Sequence, residues 1–146
     1  RGLGDVYKRQ SQLGKSDKAM QDFNRALKLR PHADAYFNRA NELVKAKDLN
    51  SAILDYNESI KLAKRADVYT NRAFANAQLG KINLAFTDLK TAIKLDPNYG
   101  QAYFLYGMML NSQGNKQAAC QQLNRALKLK HVKAKQAWEQ ICKSGA

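Results

Sequence analysis

A short apolar pattern returns four times along this chain, at intervals of 33 or 34 residues, and its landmark is an alanine: Ala19, Ala52, Ala85 and Ala119. A large apolar residue follows four positions later (Phe23, Tyr56, Leu89, Leu123), then a small one (Ala26, Ser59, Ala92, Ala126). A branched aliphatic comes next (Leu27, Ile60, Ile93, Leu127), and a leucine closes the set (Leu29, Leu62, Leu95, Leu129). The hexapeptide Asn24 to Leu29 reappears unchanged as Asn124 to Leu129. A fixed period of this length is the mark of stacked supersecondary units, each too small to bury its apolar face alone.

Spacings of three and four put the patterned residues on one face of a helix. A second set precedes the first in constant register: Tyr36, Tyr69 and Tyr103, each followed four later by Ala40, Ala73 or Gly107. Small side chains let two helix backbones approach, and bulky ones fill the space beside them. Breaks are expected at Leu13-Gly14-Lys15, Leu79-Gly80-Lys81 and Gln113-Gly114-Asn115, where glycine can end a helix in the left-handed conformation. The second helices are expected to stop before Pro31 and Pro97, since proline disfavours helix in the residue before it.

Over residues 11 to 133 the chain resembles the tetratricopeptide repeat (TPR) family, with about eight agreeing positions per repeat. The resemblance implies an all-α, right-handed superhelical solenoid of antiparallel helix hairpins with a C-terminal capping helix. The expected division is a partial repeat at 11–32, repeats at 33–65, 66–99 and 100–133, and a cap and tail at 134–146. The repeat motifs, Tyr-Phe-Asn-Arg-Ala at 36–40 and Tyr-Thr-Asn-Arg-Ala at 69–73, look like those of bacterial members. The chain departs from the pattern at Lys47, which stands where the inter-helix glycine belongs and should strain that turn. Asn76 occupies the position of Leu43 and Leu110, and the second repeat ends at Ala63-Lys64-Arg65 with no proline.

Residues 5–10, Asp-Val-Tyr-Lys-Arg-Gln, resemble an in-frame translation of a sequencing-library adapter. In the repeat register Tyr7 falls where Ala40, Ala73 and Gly107 sit, and a tyrosine does not fit that close contact. Residues 1–10 are therefore set aside as a non-native segment, although Leu3, Val6 and Tyr7 have helical spacing. The first repeat is then expected to lack most of its first helix, leaving Phe23, Ala26 and Leu27 uncovered. At the other end Ala134, Ala137, Trp138 and Ile141 form the apolar stripe expected of a cap, with Trp138 in its core.

The resemblance implies non-enzymatic binding of a peptide or helical segment of another protein in a concave groove built from first helices. Its groove positions map onto Asp34, Phe37, Asn38, Asn41, Val44 and Lys45 in the second repeat, and onto Asp67, Thr70, Asn71, Phe74, Ala77 and Gln78 in the third. In the fourth they fall on Gln101, Phe104, Leu105, Met108 and Asn111. Amides can hold peptide backbone as donor and acceptor, and Phe and Met can take apolar anchors. Some TPR adaptors grip acidic chaperone tails with two asparagines and several cations. Asn41 and Asn71 match the asparagines, but Phe37, Gln101 and Leu105 stand where the cations belong, so that specialisation is rejected.

The net charge is +13, and removing Arg1, Lys8 and Arg9 against Asp5 leaves +11. Many cations lie on second helices and repeat ends, among them Arg25, Lys28, Lys61, Lys90, Lys94, Arg125 and Lys128. A basic outer face raises an alternative, weak and salt-sensitive contact with nucleic acid or an anionic surface. Another alternative is that the repeats belong to a larger protein whose active part lies upstream. No apolar run approaches the roughly 20 residues of a membrane span. His32 and His131 both lie at repeat ends, and no Cys–His cluster or glycine-rich phosphate loop is present, so no catalytic residue, metal or cofactor is expected. Asp17, Asp22, Asp55 and Asp88 read as helix-surface carboxylates in caps or ion pairs. Cys120 and Cys142 could bridge across the cap, but free buried thiols are the favoured reading.

Overall fold

The computed structural model describes residues 2–143. These residues form eight α-helices: α1 (Gly2–Leu29), α2 (Ala33–Lys45), α3 (Leu49–Leu62), α4 (Ala66–Gln78), α5 (Ile82–Leu95), α6 (Gly100–Ser112), α7 (Lys116–Lys128) and α8 (Ala134–Trp138). A π-helical turn, Glu139–Lys143, continues α8. The chain divides into two compact units, one ending at Ala63 and the other beginning at Lys64. In the first unit α1 packs on α2, and α2 pairs with α3. In the second, α4 pairs with α5 and α6 with α7; α6 also lies against α4 and α5, and α8 and the π turn pack on α7.

The repeating residues make these pairs possible. Ala52, Ala85 and Ala119 are fully buried, as are Ala40 and Ala73 on the facing helices. Tyr56, Leu89 and Leu123 fill the space left beside them, and Ser59, Ala92 and Ala126 are buried one turn on. In the second unit Ala73, Ala85, Leu89, Ala92, Ala102 and Met109 form one core, with Tyr69, Phe86, Ile93 and Tyr106 against it. Gly107 marks the tightest approach: a Cβ there would lie 2.8 Å from Leu123 Cγ and 3.0 Å from the Ala119 carbonyl oxygen. The closing leucines behave differently. Leu29, Leu62 and Leu95 are exposed, because each ends its helix beyond the reach of the partner helix.

Turn chemistry follows the expected pattern at two of three glycines. Gly80 and Gly114 have φ of +76° and +81°. Lys47 takes the glycine's place with φ 65°, so the α2–α3 turn holds a side chain in the left-handed region. Lys130 does the same after α7, with φ 58°. Asp48 and Asn115 cap the following helices by accepting from the Ser51 and Ala118 N–H groups at 3.2 and 3.1 Å.

The expected turn at Gly14 is absent, and α1 runs straight through it. Glycine permits a turn but does not impose one. Folding back requires the upstream segment to carry a face worth covering, and residues 2–13 lack the tyrosine and small-residue pair of the other first helices. Leu3, Val6, Tyr7 and Leu13 are all exposed, and α1 has no buried residue. Ala26 is exposed and Phe23 and Leu27 are only half-buried, in keeping with an uncovered face.

The cap forms at the expected place. Ala134 and Ala137 are buried, and Trp138 and Ile141 are half-buried, with the Trp138 Nε1 buried and without a partner. Residues 144–146 of the expected tail lie outside the described residues. Cys120 and Cys142 are bonded, with Cα atoms 5.7 Å apart, which corrects the expectation of free thiols. The π turn brings Cys142 back onto α7, where Cys120 sits.

Candidate functional site

Two buried ion pairs fix the rotation of the first helices in α2/α3 and α4/α5. Arg39 Nε and Nη2 donate to the two Asp55 oxygens at 2.6 and 2.7 Å. One repeat later, Arg72 Nε and Nη2 donate to Asp88 at 2.9 and 2.6 Å. The hydrogen bond to the carboxylate raises each guanidinium pKa above its ordinary value, against the opposing effect of burial. Each guanidinium also lies over a repeat tyrosine, Arg39 over Tyr36 at 5.7 Å and Arg72 over Tyr69 at 5.3 Å. Asp55 and Asp88 are therefore not surface carboxylates: they are 6% and 5% exposed. Asn76 is buried for the same reason, its Nδ2 donating to Asp88 at 3.4 Å.

With rotation fixed, the opposite side of each first helix is presented. On α2, Asn38 is exposed and Lys45 is exposed but paired with Glu42 at 2.7 Å. Asn41 is half-buried and its Oδ1 accepts from Tyr56 Oη at 2.7 Å, and the Phe37 ring lies 6.2 Å from that of Tyr56. These two residues brace α2 on α3 as well as facing outward. Thr70 does not belong to a binding face. It is 1% exposed and its hydroxyl donates to the Ala66 carbonyl at 2.8 Å, the usual refuge of a buried threonine in a helix.

In the second unit the packing of α6 on α4 places two of the predicted sets side by side. Phe74 is 40% exposed and Met108 36%, and they occupy equivalent positions one repeat apart. Gln78 is exposed, and Asn71 and Asn111 are half-buried. No charged side chain belongs to this set. Gln101 and Phe104 are engaged from the chain's end: His131 stacks on Phe104 with ring centroids 4.5 Å apart, and its Nε2 meets Gln101 Oε1 at 2.5 Å. Burial, helped by the charge of Lys133, lowers the His131 pKa below its ordinary value. His131 thus does more than end a repeat. His32 stays a turn residue, its Nδ1 accepting from the Ala35 N–H at 3.4 Å.

The sequence reading missed Arg39, Arg72 and His131. The arginines were detectable, since Arg39 and Arg72, like Asp55 and Asp88, stand 33 residues apart. The role of His131 depends on how the last turn folds onto α6 and left no periodic trace. Arg25, Lys28, Lys61, Lys90, Lys94, Arg125 and Lys128 are each exposed. Lys61 is paired with Glu58 at 2.7 Å, and Arg125 lies over Tyr103 at 5.7 Å. Among the described residues no helix is long and apolar enough to cross a membrane, and no group of three or more His, Cys, Asp or Glu could hold a metal ion.

Family models described as tetratricopeptide repeat match residues 8–67, 66–99 and 89–121. Comparison with curated proteins finds no match. Among solved structures, the chain is similar to MamA, with TM-score 0.73 and 22% identity over 88% of this chain and 76% of that one. It is similar to the Arabidopsis OM64 TPR domain, with TM-score 0.71 and 29% identity over 77% of this chain and 95% of that one. It also resembles the TPR2B domain of yeast Sti1, solved as a pHsp70 complex, with TM-score 0.67 and 27% identity over 71% and 88%.

Proposed function

Because the chain belongs to the tetratricopeptide repeat family, we propose that it is a non-catalytic interaction module whose first helices bind a peptide segment of another protein. The observation that carries this reading is the α4/α6 face, where Phe74 and Met108 stand exposed among Asn71, Gln78 and Asn111 with no charge between them. An extended segment can place apolar anchors on the Phe and Met while the amides meet its backbone. Asn38 and Asn41 on α2 offer the same amide chemistry in the first unit. The similarity to a Sti1 domain solved as a pHsp70 complex supports peptide binding in kind. It does not transfer the partner, since the cation positions of that specialisation hold Phe37, Gln101 and Leu105 here. The mechanism is preorganisation: the ion pairs and close-packed helices hold the binding side chains in place before the partner arrives.

The test is a pull-down from source lysate at low and high salt, with a Phe74→Ala/Met108→Ala variant beside the parent. Both side chains are exposed enough for truncation to spare the fold, which helicity at 222 nm checks. Proteins retained at high salt by the parent and lost by the variant bear the reading out. Identical retention by both refutes it.

A further inference from the structure

Between Asp96 and Glu139 lie 42 residues without a single carboxylate side chain, and they carry six cations: Lys116, Arg125, Lys128, Lys130, Lys133 and Lys135. The stretch holds the whole of α6, α7 and α8. Elsewhere ion pairs form within each unit: Arg39–Asp55, Lys45–Glu42, Lys61–Glu58, Arg65–Asp67 and Arg72–Asp88. Here, among the described residues, none of the six cations has an ion-pair partner. Arg125 and Lys128 sit in the last turn of α7, where a cation complements the helix dipole. That account does not extend to Lys130 and Lys133.

These two lysines bracket His131 in the turn after α7. The turn lies on the start of α6: a Cβ at Gly100 would be 3.4 Å from both Leu129 Cβ and His131 Cβ. His131 touches Gln101 and Phe104, and the charge of Lys133 acts on the His131 ring. The uncharged α4/α6 face therefore has a basic end. The first turn of α6 holds no acid, and its N-cap Tyr99 makes no side-chain capping bond, so the helix dipole adds the same sign there. Two acids lie near Tyr99: Asp67 pairs with Arg65, and Asp96 accepts from the Asn98 N–H at 3.0 Å.

Resting on the peptide-binding reading above, we infer that the bound segment is acidic at one end. Its side-chain carboxylates meet Lys130 and Lys133 beside His131, while its apolar residues reach Phe104, Phe74 and Met108. The contact needs no free chain terminus. A nucleic-acid strand fits less well, because it carries a negative charge on every residue across a face that is charged only at one end.

The test selects peptides from a random phage-displayed library, with C-termini blocked by fusion, on the full chain and on the Lys130→Glu/Lys133→Glu and Phe74→Ala/Met108→Ala variants. The parent is expected to select segments with apolar residues followed or preceded by a cluster of Asp or Glu. The lysine variant should bind those peptides about tenfold more weakly and should select no acidic cluster, as two exposed charge contacts imply. Peptides that need Phe74 and Met108 but show no acidic bias would overturn the inference and leave the peptide-binding reading standing. A selection that ignores the Phe74/Met108 variant would overturn both. A single-stranded oligonucleotide that displaces the peptides, and whose binding needs the lysines but not Phe74 and Met108, would assign the basic end to nucleic acid and overturn the inference.

Discussion

The Arg72–Asp88 pair offers a quantitative test, because the chain contains its own control. Replacing Asp88 with alanine strips Arg72 of both carboxylate bonds and takes the only described acceptor from Asn76 Nδ2. Breaking a fully buried pair by deleting one partner costs about 3–5 kcal/mol. The Arg72 side chain is 22% exposed, so water partly replaces the lost acceptor, and about 2–3 kcal/mol is expected. At about 2–4 °C per kcal/mol for a chain of this size, Tm should fall by about 5–10 °C. Asp55→Ala breaks the equivalent two-bond pair and should cost a similar amount, about 2–3 kcal/mol, since the Arg39 side chain is 25% exposed. The fourth repeat carries Tyr106 and Gln122 at the equivalent positions and forms its hairpin without the pair. The double variant Arg72→Tyr/Asp88→Gln should therefore recover at least half of the stability lost in Asp88→Ala. Thermal and urea unfolding followed by circular dichroism at 222 nm measures all three. An Asp88→Ala variant within about 0.5 kcal/mol of the parent, or a double variant as damaged as the single, would refute the argument.

Gly107→Ala should destabilise by about 1–3 kcal/mol, since the new methyl meets Leu123 Cγ and the Ala119 carbonyl; urea midpoints report it. Lys47→Gly should stabilise the chain by about 1 kcal/mol by relieving a left-handed side chain, whereas Gly80→Lys, the reverse exchange at the equivalent turn, should cost a similar amount. Replacing both Cys120 and Cys142 with serine should lower stability by about 3 kcal/mol from the loop of 22 residues that the bond closes, and a reducing agent should shift the parent's Tm but not the variant's.

The repeat register was legible because burial is periodic. Ala52, Ala85, Tyr56, Leu89 and Leu123 could be assigned to the core from spacing alone, and all are buried. The α6 residues of the proposed binding face followed from the same register. Three things lay outside it. Thr70 shares the spacing of a groove residue, but burial of its hydroxyl is satisfied within its own helix, which periodicity does not detect. Gly14 carries the signal of a turn, yet a turn needs a face to fold onto, and residues 2–13 provide none. The bridge between Cys120 and Cys142 depends on a π turn, a departure from helical spacing that no amphipathic pattern announces.

The hairpins are held together by different means, and the difference has a consequence for how the protein comes apart. The α2/α3 and α4/α5 hairpins each hinge on an arginine–aspartate pair, so removal of the Asp55 or Asp88 side chain strikes there. The α6/α7 hairpin has no such group; it relies on the bare backbone of Gly107 against Leu123 and on a covalent tie from α7 to the chain's end. Loss of either carboxylate should loosen its own hairpin while leaving the last one closed, and a thiol reductant should do the reverse. One chain thus carries two independent points of failure, each answering to a different perturbation.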